Sequence, residues 1–227
     1  DTDRSRGLGD VYKRQADVLK GFKQFESFND RTPADYQLRV HPAPIAEVQR
    51  GAKNIEGSQS VLSIAYELPI YFGDEDYFPA VIFNQLFGGS SRSLLFTNVR
   101  EKHSLAYDIH SSYNSLVGMD SVQAGIDFQN EEQVTQMVAD QLQQMVDGHY
   151  SDELLDGVKH ALINQHRSEA DHLGSLIEKQ YIQQIMGFSL SDSDWETQVA
   201  NVTRSQISAV AKQMSLRAIY QLNSRGH

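Results

Sequence analysis

The stretch FGGSSRSLLFTNVREKHSLAY, residues 87–107, is the most specific indication of the fold in this sequence. A double glycine follows an apolar run, and a short amphipathic segment then leads into a strand-like alternation. Gly88 and Gly89 are expected to end the preceding helix, because glycines commonly stand just past helix C-termini. Ser90 or Ser91 is expected to cap the next short helix. The stretch therefore predicts two short helices followed by a strand.

Strand patterns lie on both sides of this stretch. Upstream, apolar side chains alternate from Ser60 to Leu68, and Asp76 is placed to cap the helix before the glycines. Downstream, two alternating runs flank the turn-forming residues 114–118 and predict a β-hairpin. Alternation gives the first of these strands one shared face, made of Tyr107, Ile109, Ser111 and Tyr113. The second strand has a similar face, made of Val122, Ala124, Ile126 and Phe128.

The rest of the chain is mostly helical in pattern. Capping signals predict helix starts at Asn130, Ser151, Ser193 and Thr203, and the segment that Ser151 opens stays periodic to about Met186. A closing strand follows, with alternating Leu216, Ala218, Tyr220 and Leu222. This order of elements, with its hairpin, predicts an α+β fold in which helices cover one face of an antiparallel or mixed sheet.

Composition limits the classes of function. The 227 residues carry a net charge of −10, which argues against nucleic-acid and anionic-membrane partners. No run approaches the roughly 20 apolar residues of a membrane helix, and residues 1–15 lack the apolar core of a signal peptide. We therefore expect a cytoplasmic protein. Residues 1–15 are interpreted as a tail or an expression remnant, 16–58 as a linker and first strand, and 59–225 as the folded domain.

Metal and nucleophile patterns are weak. A helical zinc site needs two histidines at i and i+4, whereas His166, Glu169 and His172 stand at i, i+3 and i+6. The chain has no cysteine and no G-x-S-x-G elbow, and the double glycine lacks the lysine of a phosphate loop. We predict no metal in this chain, and an independent zinc hydrolase built on those three side chains stays as an alternative.

Residues 87–107 resemble the second half of subunits in the insulinase/pitrilysin metallopeptidase family, which includes bacterial proteins like the mitochondrial processing peptidase. The sequence most resembles the bacterial non-catalytic subunits of that family. More weakly, the resemblance extends from Val48 to Tyr220 through the order of elements. The residues that carry it are Gly88, Gly89, Leu95, Phe96, Arg100, Glu101, Leu105, Ala106 and Tyr107. The fold it implies is the metallohydrolase lobe of that family.

The resemblance also implies a site. In the family, an Arg and a Tyr seven positions apart close over the substrate from the lobe opposite the zinc, and Arg100 and Tyr107 have that separation. Both groups would donate hydrogen bonds to a substrate carbonyl or a developing oxyanion. Without the family context, Arg100 would be a local ion-pair partner and Tyr107 an ordinary strand aromatic. Ser104 stands where the family often has glycine, in a turn that favours the left-handed conformation.

The family's zinc signature, H-x-x-E-H, is missing from these residues. The zinc is therefore expected in a partner lobe or subunit, and this chain alone is predicted to be inactive. The function implied is that of a second-half lobe that closes over a peptide substrate beside the partner's zinc, within a dimer. The alternative is a catalytically dead interaction or scaffold subunit of a peptidase-like complex.

Overall fold

A computed structural model describes residues 20–21, 46–57, 59–169 and 172–224 of the chain. The elements described below all belong to one contact unit, residues 38–227. The predicted tail, residues 1–15, lies outside the described residues, as does most of the predicted linker.

Five strands form one sheet. They are β1 (Gln49–Ile55), β2 (Ser60–Glu67), β3 (Ala106–Asn114), β4 (Met119–Ile126) and β5 (Ser215–Ser224). Their order across the sheet is β1-β5-β2-β4-β3, with β1 parallel to β5 and every other pair antiparallel. The predicted mixed sheet is confirmed, and so is the hairpin between β3 and β4.

In the described part of this unit, six α-helices accompany the sheet: α1 (Tyr77–Asn84), α2 (Glu131–Asp147), α3 (Asp152–Glu169), α4 (Leu173–Met186), α5 (Asp192–Asn201) and α6 (Arg204–Gln213). The same part of the unit has three shorter helical segments: two π-helical segments, Gln85–Gly89 and Phe96–Lys102, and the 3₁₀ turn Phe128–Asn130. None of the helices in the described ranges is long and apolar enough to cross a membrane.

The helices cover one face of the sheet. Every second residue of β2 is buried, including Leu62 and Ile64, whose cross-strand neighbours on β4 are the buried Ala124 and Val122. These side chains join one hydrophobic core with residues of the helices, such as Phe83 of α1. On the opposite face, one cross-strand row is made of Tyr220, Ser63, Gln123 and His110. The alternation of apolar and polar residues predicts such a strand, with one face in the core and the other toward solvent.

The closing strand is confirmed. However, its alternating residues Ala218, Tyr220 and Leu222 are not the ones that are buried. Ile219 and Gln221 are the buried residues of β5, whereas Tyr220 is exposed. The register of β5 against β2 shifts between Ala65 and Tyr66. Such a shift changes which side chains face the core, and the alternation of residue types alone does not reveal it.

Helix starts were predicted with mixed success. Thr203 opens α6 with a complete capping box, and Ser151 Oγ accepts from the Leu154 N–H at 3.1 Å. Asn130 makes no side-chain cap, and the cap of α5 is Ser191, not Ser193. Asp76 likewise makes no side-chain cap hydrogen bond at α1.

The long periodic segment after Ser151 is two helices, α3 and α4. Residues 170–171 between them lie outside the described residues. Unlike α3, α4 buries no residue, and it exposes Leu173, Ile177 and Tyr181. The apolar periodicity of α4 therefore does not mark a core-facing stripe within this unit.

Candidate functional site

The double glycine allows close contact between a helix and the edge strand. Gly88 lies in the π-helical segment Gln85–Gly89, where a Cβ would come within 2.6 Å of the Ser111 backbone nitrogen on β3. Asn84 reinforces this contact, because its Oδ1 accepts from Ser111 Oγ at 2.7 Å. Neither Gly88 nor Gly89 has a positive φ. The expectation that these glycines stop the helix as a C-cap was therefore wrong, since the helix continues through them as a wider turn.

The next helical turn is capped by a different serine from the two expected. Ser93 Oγ accepts from the Phe96 N–H at 3.3 Å, and Ser93 is fully buried. The motif residue Leu95 is also fully buried in the core. The motif thus anchors the π-helical segment Phe96–Lys102 at its start.

Arg100 lies on that π-helical segment with a partly exposed side chain. Its guanidinium lies over the Phe96 ring, 4.6 Å from the ring centroid, and its Nε is 3.8 Å from a Glu101 carboxylate oxygen. The Arg100 side chain remains 40% exposed. Phe96 and Glu101 therefore orient the guanidinium without enclosing it, and its outer N–H groups stay available to another acceptor.

A tight turn joins Arg100 to Tyr107, as the sequence predicts. The Ser104 N–H donates to the Arg100 carbonyl at 3.0 Å, and the Leu105 N–H donates to the Val99 carbonyl at 3.1 Å. Ser104 has φ +52°, the left-handed conformation that glycine adopts most easily. This nested pair of hydrogen bonds reverses the chain and delivers it directly into β3.

Tyr107 does not share a face with Ile109, contrary to the alternation of the sequence. Ala106 pairs with Ile126 and Asp108 pairs with Gly125, so Tyr107 is the extra residue of a β-bulge. Ala106 is buried, whereas the Tyr107 side chain is 59% exposed. A bulge re-aims the side chain of its extra residue, and here it turns the phenol away from the core.

The exposed phenol has a defined partner that the sequence did not indicate. Tyr107 Oη donates to Asp127 Oδ1 at 2.8 Å, and this hydrogen bond raises the pKa of Tyr107 above its usual range. Asp127 directly follows β4, 20 positions along the chain. No spacing rule links the two, because the contact depends on the bulge. Arg100 and Tyr107 thus make separate contacts, one on each side of the Ser104 turn.

Asp127, the partner of Tyr107, also lines a cavity of about 430 Å³. Its lining includes Asp127 and Phe128, and the Phe128 side chain is largely exposed. Phe128 was expected to share the buried face of β4, but the strand ends at Ile126 and Phe128 begins the 3₁₀ turn. The end of the sheet therefore presents two exposed aromatic rings next to a carboxylate.

Metal-ligating side chains do not converge in the described residues. No group of three His, Asp or Glu side chains there is arranged so that it could hold a metal ion. His166 instead stacks on Trp195 with 4.0 Å between ring centroids, and its Nε2 lies 3.0 Å from Asp192 Oδ1. Lys179 pairs with the same carboxylate, which lowers the pKa of Asp192. The contacts of His166 are thus to α5, rather than to Glu169 and His172 as partners of a zinc site.

Comparisons with known proteins agree with this architecture. A family model described as the peptidase M16 inactive domain matches residues 9–162. The chain is 35% identical over 164 residues to the probable inactive metalloprotease YmfF of Bacillus subtilis (strain 168), a match that covers 72% of this chain and 38% of that protein.

Solved structures add the fold. A conserved protein from Enterococcus faecalis V583 matches with a TM-score of 0.84 at 32% identity, over 92% of this chain and 49% of its own. The peptidase M16 inactive domain from Pseudomonas fluorescens matches in fold, with a TM-score of 0.66 at 19% identity, over 79% of this chain and 44% of its own. The chain thus spans half or less of the length of these relatives. Sequence and fold agree that this chain belongs to the inactive-domain family of the M16 peptidases, the insulinase/pitrilysin family.

Proposed function

We propose that this chain is the second-half lobe of an insulinase-like peptidase subunit and closes over a peptide substrate beside a zinc site held by a partner lobe. The observation that carries the proposal is the turn at Ser104. Arg100, with an accessible guanidinium, precedes this turn in the chain, and Tyr107, with an exposed phenol, follows it. Both belong to the segment that resembles the family, and they have the separation of its substrate-contacting Arg and Tyr.

Arg100 supplies the donors in this proposal. Its guanidinium has five N–H groups and no acceptor, so it binds a substrate carbonyl or a developing oxyanion. Removing one such donor from an oxyanion site typically costs about 3–4 kcal/mol of transition-state stabilisation. Tyr107 contributes a second contact to the same peptide.

The test uses the complete subunit reconstituted with its zinc-bearing partner. We expect Arg100→Ala and Tyr107→Phe each to lower kcat/KM for peptide cleavage, Arg100→Ala by about a hundredfold. Lys102→Ala is the control, because Lys102 is an exposed cation on the same segment that bonds only to Asn98 in the described residues. Unchanged kcat/KM in both test variants would exclude the assigned role.

A second candidate function is a scaffold subunit without catalysis in any pairing. It is favoured by the name of the 35% identical relative, a probable inactive metalloprotease. This candidate predicts a stable complex with the partner but no peptide cleavage. Size-exclusion chromatography of the mixture, followed by a peptidase assay on the complex, distinguishes the two candidates. Both proposals include a dimeric assembly in the cytoplasm, which the same chromatography and cell fractionation would check.

A further inference from the structure

The hydrogen bond between Tyr107 and Asp127 decides what the phenol can offer to a substrate. A phenol has one proton, and an ionised carboxylate can only accept. In this structure Tyr107 Oη donates that proton to Asp127 Oδ1, with 2.8 Å between the two oxygens. The free lone pairs of Tyr107 Oη are then the part of the group left for another molecule, and lone pairs bind N–H donors.

Hydrogen bonds of the neighbouring backbone fix the position of Asp127. Its backbone carbonyl accepts from the Asn130 N–H at 2.9 Å, which closes the 3₁₀ turn. The next carbonyl, that of Phe128, accepts from Nε2 of the buried Gln221 at 3.1 Å, which ties the turn to β5. The Asp127 side chain makes no cap hydrogen bond of its own turn. The carboxylate is therefore positioned by the backbone and remains available to Tyr107.

We propose that Asp127 is a positioning residue that fixes the Tyr107 phenol and makes its oxygen a hydrogen-bond acceptor for a peptide N–H. This inference rests on the proposed function and sharpens it. Arg100 donates to a carbonyl and Tyr107 accepts from an amide, so the two residues bind the two polar groups of a peptide backbone. Such a site binds the main chain of an extended peptide, and its affinity depends little on the peptide's side chains.

The competing arrangement has the phenol donating to a substrate carbonyl. A carboxylate is a stronger acceptor than a neutral carbonyl, because charge-assisted hydrogen bonds are about twice as strong as neutral ones. Donation to substrate would require Tyr107 to give up the stronger bond. Removing the carboxylate would then free the proton and improve binding, whereas our proposal predicts weaker binding. The two arrangements therefore predict opposite effects of one substitution.

The test measures the Kd of the complete subunit for an unstructured, fluorescently labelled peptide by anisotropy. We expect Tyr107→Phe and Asp127→Leu each to raise Kd about three- to tenfold, the range of one lost neutral hydrogen bond. The double variant should bind no more weakly than either single variant, since both remove the same contact. Asp127→Asn keeps an acceptor oxygen and should restore much of the affinity. Asp156→Asn, which changes an exposed carboxylate on α3, should leave Kd unchanged.

A spectroscopic measurement accompanies the binding series. The ultraviolet titration of Tyr107, isolated by subtracting the Tyr107→Phe curve, should shift to lower pH in Asp127→Leu because the carboxylate no longer stabilises the protonated phenol. An unchanged titration would overturn the proposal. Tighter or unaltered binding by Asp127→Leu, with Tyr107→Phe impaired, would also overturn it while leaving the proposed function intact. If Tyr107→Phe binds as wild type does, the peptide-contacting role of Tyr107 itself fails.

Discussion

Asp120 is a fully buried carboxyl on β4 whose two oxygens have no hydrogen-bond partner among the described residues. Its cross-strand neighbours are Tyr66 on β2 and Tyr113 on β3. Burial raises the pKa of Asp120 to about 7, because the apolar surroundings disfavour the charged form. The hydroxyl groups of the two tyrosines and a protonated Asp120 are compatible with these surroundings, whereas an ionised Asp120 is poorly solvated there.

The raised pKa predicts a stability that falls as pH rises. The unfolded chain ionises Asp120 near its ordinary value of 3.8, but the folded chain does so only near 7. Below the first value both states are protonated and there is no ionisation penalty; the penalty grows between the two values and is complete above the second. By linkage, the loss is on the order of 4 kcal/mol. Asp120→Asn should therefore raise the free energy of unfolding at about pH 8 and lose this advantage at about pH 4.

Denaturant unfolding at the two pH values measures this difference. Asp156→Asn is the matched control, because Asp156 is exposed on α3 and its removal should change little at either pH. Equal stability of Asp120→Asn and wild type across the range would show that the native structure solvates this carboxyl.

At the scale of elements, the contact between the π-helical segment Gln85–Gly89 and β3 depends on Gly88. A Cβ at this position would come within 2.6 Å of both the backbone nitrogen and the Oγ of Ser111, and the backbone nitrogen is fixed in β3. Gly88→Ala should cost about 1–3 kcal/mol, the range for overpacking a tight contact. Gly174→Ala is the control, since a methyl group on that helical glycine would have nothing within 4 Å and should gain up to about 1 kcal/mol from helix propensity. Thermal or denaturant unfolding of both variants provides the measurement, and a neutral Gly88→Ala would contradict the account.

These elements also show which patterns a sequence reveals. The alternation of β2 predicted its buried face correctly, because that strand is regular and lies between two partners. The same reasoning failed for Tyr107, since one extra residue in β3 moves a side chain to the opposite face. Arg100 and Tyr107 were found through resemblance, but Asp127 was not, because it carries no local signal and meets the phenol only in the folded sheet.

At the scale of the whole molecule, the described unit is unevenly stabilised. Helix α6 buries Ile207 and Val210 in the core, whereas α4 buries no residue and is tied by the Lys179–Asp192 ion pair. We expect amide hydrogens of α4 to exchange by local opening well before those of α6, which should exchange near the global free energy of unfolding. Native-state hydrogen exchange read by mass spectrometry checks this order. Equal protection of the two helices would show that another contact covers α4.

The sheet order has a kinetic consequence. β5 is the last of the described strands in sequence, yet it lies between β1 and β2, and Gln49 pairs with Ala218. Among the described strands, β1 has no neighbour during synthesis, and β2 lacks one of its two, until the segment that ends at Ser224 has emerged from the ribosome. Pairings this distant in sequence form slowly, because a long loop must close before any contact compensates for the lost entropy. We therefore expect folding to start at the hairpin of β3 and β4, and the insertion of β5 to be its slow, final step.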